Sequence, residues 1–414
     1  MQKIALLSIA TASLLLAGNG SKTSFGQEAF MPDISLIGDF SYVVRDKDTE
    51  HLNMPGLTHA AHGDEHGHSH AGLNANEGFN LNYAELIITS TIDSYLDLTS
   101  VFHLTQDSFE IEELYANSRG LPNGFGLKVG KFLSNFGRLN SQHAHVWNFA
   151  DQTLINNAFF GGEGINEIGL AVNWVAPTDF YLDIGVELLE GANENSYGNG
   201  AIALTEEVGL SKTDAPNLKV LYAKVGTDIG DIAVLTGLSY ATGKANIDHL
   251  EDEDPHAFAG DSTLYGADLT LKLPLNSYSD LTWTSEYIKR ELKGTQYVPN
   301  VANDAWANQV RLNKEQSGVY SSLIYKMDSD WKMGLRYDDI LENSVLSNGV
   351  DSNQPTDMNR YSAMLEYNFS EFNKLRLQYN KDNSKYDESG KQIKNDEIIL
   401  QVNFAIGSHA AHTF

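Results

Sequence analysis

The sequence contains no cysteine. Disulfides are therefore excluded, and with them the small stapled domains common among exported proteins, so stability must come from size or from a membrane. Also missing is a long apolar run. Beyond the first residues no stretch approaches the roughly 20 apolar residues of a membrane helix, although hydrophobic residues make up 42% of the chain. Positive charge is scarce too: 28 Lys and Arg stand against 55 Asp and Glu, a formal net charge of −27. That balance disfavours nucleic acid and other polyanionic partners and favours cations. There is no G-x-S-x-G nucleophile motif, and without cysteine there is no thiol nucleophile, so no enzymatic activity is expected.

What is present starts with "MQKIALLSIATASLLLAGNGSKTSFGQ". Lys3 supplies a short basic start, an apolar run follows from Ile4 to Ala17, and small residues precede a cut after Gly26. This pattern predicts a secretory signal peptide over 1–26 and a mature chain over 27–414. The apolar run is too short to span a membrane, and no cysteine is available for a lipid anchor.

From Asp33 onward, runs of about ten alternating residues are separated by turns, which is the pattern of a membrane β-barrel. In "ISLIGDFSYVV" one face carries Ile34, Leu36, Phe40, Tyr42 and Val44. The other carries Ser35, Asp39 and Ser41, with Ile37 and Val43 out of pattern. Counting such runs predicts one transmembrane antiparallel β-barrel of about sixteen strands, an even number that lets both termini lie in the periplasm. The alternative is a soluble β-sandwich or propeller.

Short connections such as "APTD", "DSD" and "SEFN" alternate with long ones, as expected for tight periplasmic turns and long external loops; the stretch near "QDS" is the exception. Tyr42, Tyr83, Tyr181, Tyr325, Tyr367 and Phe369 fall near strand ends, where an aromatic belt would meet the lipid headgroups. Outer-membrane lipid is thus the expected surrounding and the bacterial outer membrane the expected location. Sixteen-stranded porins are commonly trimers, so a homotrimer is open to this chain, although no interface is legible.

The inward parity holds Asp97, His103, Asp183, Asp268, Glu286, Arg336, Glu366 and Arg376, which predicts a wet, polar lumen. No ladder of Arg or Lys is visible that would argue for an anion pore. The loop over 138–166 is unusually apolar: Val146, Trp147, Phe149, Leu154, Ile155, Phe159 and Phe160 would be costly together in water. Folding the loop into the barrel as a constriction buries them and brings His143, His145 and Asp151 to the narrowest passage. His-x-His places two imidazoles on one side of an extended segment, and Asp151 is the candidate third metal ligand. The competing reading gives these residues hydrogen bonds that anchor the loop.

The stretch "VGKFLSNFGRLNSQHAHVWNFADQTLINNAFFGGEGINEIG" resembles a segment of bacterial outer-membrane barrels known as zinc-regulated TonB-dependent outer-membrane receptors, and its "GKF…FGR" more distantly resembles the phosphate-selective porin superfamily. The resemblance implies a porin-like barrel and a link to zinc supply. A TonB-dependent receptor has a large N-terminal plug and a barrel of about 22 strands, for which the residues after the leader leave no room. A TonB-linked receptor lacking a plug therefore stays only as an alternative. The terminal Phe414 looks like the signal read by the barrel-assembly machinery, with His412 departing from the usual apolar residue.

In the first long loop, about 46–78, lies "HAAHGDEHGHSH". His59, His62, Asp64, Glu65, His66, His68 and His70 offer more donors than the three or four that Zn²⁺ requires. Imidazole suits Zn, Cu and Ni alike, and zinc is favoured only through the resemblance. The other reading is a solvated tract that binds metals adventitiously. The expected function is a porin-like channel that facilitates uptake of divalent metal. No tightly bound cofactor is expected; Zn²⁺ is the transported or sensed ion. A general or anion-selective porin is the alternative.

Overall fold

In the computed structural model, residues 31–49, 52–57, 73–105, 108–193, 195–251 and 255–407 are described. The leader, the histidines and acids of the 59–70 tract, and Phe414 lie outside them.

Alternation of apolar and polar residues makes each strand two-faced, and closure leaves no unpaired backbone edge toward lipid. The barrel strands are β1 Asp33–Arg45, β2 Gly78–Thr91, β3 Leu96–Leu104, β4 Phe109–Ser118, β5 Phe125–Leu133, β6 Asn166–Val175, β7 Tyr181–Leu189 and β8 Leu218–Ile229. They continue as β9 Ile232–His249, β10 His256–Pro274, β11 Asp280–Pro299, β12 Trp306–Lys326, β13 Trp331–Ser347, β14 Asn359–Ser370, β15 Asn373–Tyr386 and β16 Gln392–Gly407. Consecutive strands pair antiparallel, and β1 closes the barrel by pairing with β16 from Ser35↔Gly407 to Arg45↔Glu397. A two-residue strand, Val350–Asp351, adds to the edge of β13, and a small hairpin of Ile202–Ala203 with Gly209–Leu210 sits between β7 and β8.

The outward face follows the alternation. Ile398, Leu400, Val402, Phe404 and Ile406 of β16 are all exposed on the outside, as are Phe40, Tyr42 and Val44 of β1. A closed barrel with an apolar outer surface of this kind is an integral protein of the bacterial outer membrane. Two of the expected belt tyrosines face the other way: Tyr83 is buried on the lumen side, and Tyr181 turns its hydroxyl to Asp183 at 3.4 Å.

The loop between β5 and β6 folds into the barrel. It carries a 3-10 turn at Ala144–Val146 and one short helix, α1, at Leu154–Phe160. Thr153 caps α1 by accepting from the Asn156 amide, and Gly161 ends it at φ 72°, where a side chain would be strained. Leu154, Ile155, Phe159 and Phe160 are buried in a cluster with Phe132, Phe136 and residues of the opposite wall, among them Ile288, Tyr320 and Ile340. The apolar loop thus carries a hydrophobic core into a polar lumen, with Val146 alone among the seven left exposed.

This also accounts for the two residues of β1 that broke the alternation. Ile37 belongs to a buried cluster against which Ala144 of the loop packs, and Val43 clusters with Ala150, so both are lumen residues on the side that meets the loop.

Candidate functional site at the seam between loop and wall

The β2, β3 and β4 wall and the incoming loop bring together three carboxylates and three imidazoles. Glu85 and His103 are cross-strand partners. Between Val101 and Phe102 the register shifts, pairing them with Glu113 and Ile111 and leaving Glu112 unpaired. This β-bulge turns the consecutive residues Glu112 and Glu113 both inward. His143 and His145 arrive on the loop at the 3-10 turn rather than on an extended segment, and their rings still stack, with centroids 5.6 Å apart and planes 20° apart.

Contacts within the group are close. His143 Nε2 lies 2.8 Å from Glu113 Oε2, and His143 Nδ1 lies 3.2 Å from Glu112 Oε2 and 4.0 Å from Glu85 Oε1. His103 Nε2 meets Glu112 Oε2 at 2.9 Å and Glu85 Oε2 at 3.3 Å, and His145 Nδ1 meets the same Glu85 oxygen at 3.1 Å. Burial opposes charge on His143, but the carboxylates of Glu112, Glu85 and Glu113 outweigh it and hold its imidazolium well above the ordinary histidine range. The Glu85 side chain is fully buried, and its Oε1 has no hydrogen-bond partner.

Asp151 does not join the histidines, which corrects its expected place as a third ligand. It lies against strands β13 to β15, with Arg336 Nη2 at 2.9 Å, Arg360 Nη1 at 3.1 Å, Gln378 Nε2 at 2.6 Å and Asn380 Nδ2 at 3.0 Å. The two guanidinium groups supply the carboxylate with charge and directed donors together. Burial works to raise the Asp151 pKa, but the two arginines win and hold it below the ordinary aspartate value.

Arg336, Arg360 and Arg376 form a row on adjacent strands β13, β14 and β15, so a basic row exists that the sequence reading did not see. Its groups serve the loop. Arg336 donates to the Asp151 carbonyl, Arg360 to the Gln152 carbonyl and Arg376 to the Trp147 carbonyl. Each also has a carboxylate partner: Asp338 for Arg336 and Arg360, and Glu366 for Arg376 at 2.6 Å.

The remaining lumen candidates divide by role. Glu286 accepts from the Arg138 and Leu139 amides, so it is a loop anchor. Glu366 is occupied by Arg376 and Lys332. Asp183 takes the Asn173 amide and the Tyr181 hydroxyl, Asp97 pairs with Arg119, and Asp268 faces inward beside Gly237.

Between the Glu and His cluster and the Asp151 anchor lies a cavity of about 380 Å³, lined by Tyr83, His103, Glu112 and His143 on one side and by Arg360 and Lys385 on the other. Glu85, Glu112 and Glu113 were missed in the sequence. The signal for the last two was available: Ile111 and Leu114 both face outward, and an odd spacing between two outward residues marks a bulge.

No family model matches this chain. A protein of Aquifex aeolicus (strain VF5), described only as uncharacterized, is 44% identical over 394 residues, which is 94% of this chain and 81% of that one. The chain belongs to the same family as this Aquifex protein. Among solved structures, the outer membrane channel DcaP of Acinetobacter baumannii is 13% identical with a TM-score of 0.53, over 92% of this chain and 99% of that one. OmpT of Vibrio cholerae, an outer membrane protein solved in a trimer form, is 12% identical with a TM-score of 0.51, over 91% of this chain and 100% of that one. Pseudomonas putida OprB is 11% identical with a TM-score of 0.50, over 92% of this chain and 94% of that one. At these identities the likeness is one of fold, that of outer-membrane β-barrel porins. None of these names speaks of zinc or of TonB, so the resemblance in the sequence narrows to the porin-like barrel.

Proposed function

We propose that this protein is a porin-type channel of the outer membrane that admits small hydrophilic solutes and prefers divalent cations, with zinc the ion to test first. One observation carries the reading: the inward loop narrows the lumen and leaves three glutamates and three histidines beside a cavity, while the basic row on β13 to β15 is taken up in holding the loop. Carboxylates and imidazoles are donors that divalent cations accept in place of a proton, and conduction requires that each site hold them loosely enough to release them. The histidine tract at 59–70 would raise the local metal concentration at the external mouth.

An anion-selective pore is the second reading, favoured by Arg336, Arg360 and Arg376, but paired guanidinium groups present little net charge to a passing anion. The reading is of a conduit and not an enzyme, and a homotrimer is the proposed assembly. Reversal potentials in planar bilayers under a salt gradient test the central claim: a cation-selective value is expected, and an anion-selective one rejects it. Liposomes loaded with a zinc-sensitive dye extend the test, with slower entry expected at scarce metal once the tract is deleted.

A further inference from the structure

We infer that Glu85, Glu112 and His143 form a binding site for a single divalent transition-metal ion at the seam between loop and wall. The inference deepens the cation reading and rests on it for the biological role, though not for the binding itself.

The ligand atoms of these three residues all lie within 4.8 Å of one another. Bonds of about 2.1 Å in a tetrahedral site put neighbouring ligand atoms about 3.4 Å apart. The observed His143 Nδ1 distances, 3.2 Å to Glu112 Oε2 and 4.0 Å to Glu85 Oε1, lie on either side of that value. Side-chain adjustment of at most about 1.4 Å, the difference between the 4.8 Å limit and that spacing, brings the three into register.

Glu85 supplies the second observation. Its side chain is fully buried, and Oε1, the oxygen nearer His143, has no hydrogen-bond partner. A buried carboxylate oxygen without a hydrogen bond carries a desolvation cost that a directly coordinated cation would remove.

The surrounding groups are those that a metal site needs. Glu113 accepts from His143 at Nε2, at 2.8 Å, so Nδ1 is the ring nitrogen that faces Glu112 and Glu85, and a metal would bind there by displacing its proton. A carboxylate behind a ligating imidazole fixes its tautomer and raises its basicity. His103 and His145 hold the other oxygen of Glu85, and His103 also meets Glu112. Glu112 and His143 line the cavity, so an ion reaches the site from the lumen and a fourth position is open to water. Two carboxylates and one imidazole suit zinc and cobalt, whereas calcium would require more oxygen ligands.

The test uses the full chain in detergent micelles, with His59, His62, His66, His68 and His70 replaced by alanine to silence the tract. Co²⁺ absorption and Zn²⁺ calorimetry should each report one equivalent. Glu112→Gln and His143→Ala should lose at least tenfold in affinity, and Glu113→Gln, behind the imidazole, should lose about 10–100-fold. Heat-dependent gel mobility checks that each variant is a folded barrel; Glu112→Gln, part-exposed and nearly isosteric, decides the matter if His143→Ala does not fold. A tract-silenced protein that takes up no metal, or a folded Glu112→Gln that binds as tightly as its parent, overturns the site. Bilayer selectivity measured on the same preparation separates the two proposals: metal binding without cation preference removes the channel reading alone, and cation preference without metal binding removes this site alone.

Discussion

Asp151 shows how one side chain can hold a loop across a lumen. It faces Arg336 from β13 and Arg360 from β14, with Gln378 and Asn380 of β15 completing its shell, while Asp338 shares both guanidinium groups and Asp382 and Glu397 act on Arg360. Removing one partner of a buried ion pair costs about 3–5 kcal/mol, because the other charge is left unpaired. Asp151→Ala should therefore release the loop, seen as new protease cleavage between residues 138 and 166 and a larger single-channel conductance. Asp151→Asn, which keeps hydrogen bonds but not the charge, should have a smaller effect.

The pH dependence follows from the lowered pKa of Asp151. Its stabilising contribution is complete above the ordinary aspartate value of 3.8 and is lost as pH falls through the lower value it holds in the folded protein. The Asp151-dependent difference in loop protection should thus be the same at pH 7 and pH 5 and should shrink only below about pH 4. Hydrogen exchange of parent and Asp151→Asn across that range measures it.

At the scale of elements, α1 sits where strand β12 makes room for it. A Cβ added at Gly318 would collide with the Cγ2 of Ile155. Gly318→Val should push α1 off the wall at a cost of about 1–3 kcal/mol, raising conductance while the barrel itself keeps its heat-dependent gel mobility. Ile155→Ala relieves that clash but opens a cavity, at about 2–5 kcal/mol. The double variant Gly318→Val with Ile155→Ala should be less unstable than the sum of the two, as a thermal-melt cycle would reveal.

The strands themselves were legible in the sequence because a period of two is a local property of the chain. The bulge in β4 was half legible. "FEIEEL" sets outward Ile111 and outward Leu114 an odd distance apart, yet without the partner strand nothing says which of the intervening residues is the extra one. Asp151 was misread for a related reason: its partners come from strands 185 to 229 residues later, and no local pattern links them.

At the scale of the whole molecule, an excess of acid sets the expected selectivity, and its strength should depend on salt. The screening length falls from about 10 Å at 0.1 M to about 3 Å at 1 M. Cation preference measured by reversal potential should therefore weaken over that range if lumen charges separated by several ångström act together, and a preference unchanged in 1 M salt would point instead to direct coordination. Light scattering of the purified protein in detergent checks the proposed trimer.

The sequence alone determined that this chain is a closed barrel of about sixteen strands with its apolar loop inside. Alternation, turn chemistry and the cost of exposing aromatics are properties of neighbouring residues, and they act before any long-range contact forms. Only the tertiary structure decided which acids meet which bases. His143 finds Glu112 and Glu113, Asp151 finds Arg336 and Arg360, and Ile37 and Val43 find their reason for breaking the pattern, because barrel closure and the path of the loop place strands side by side that are far apart in the chain.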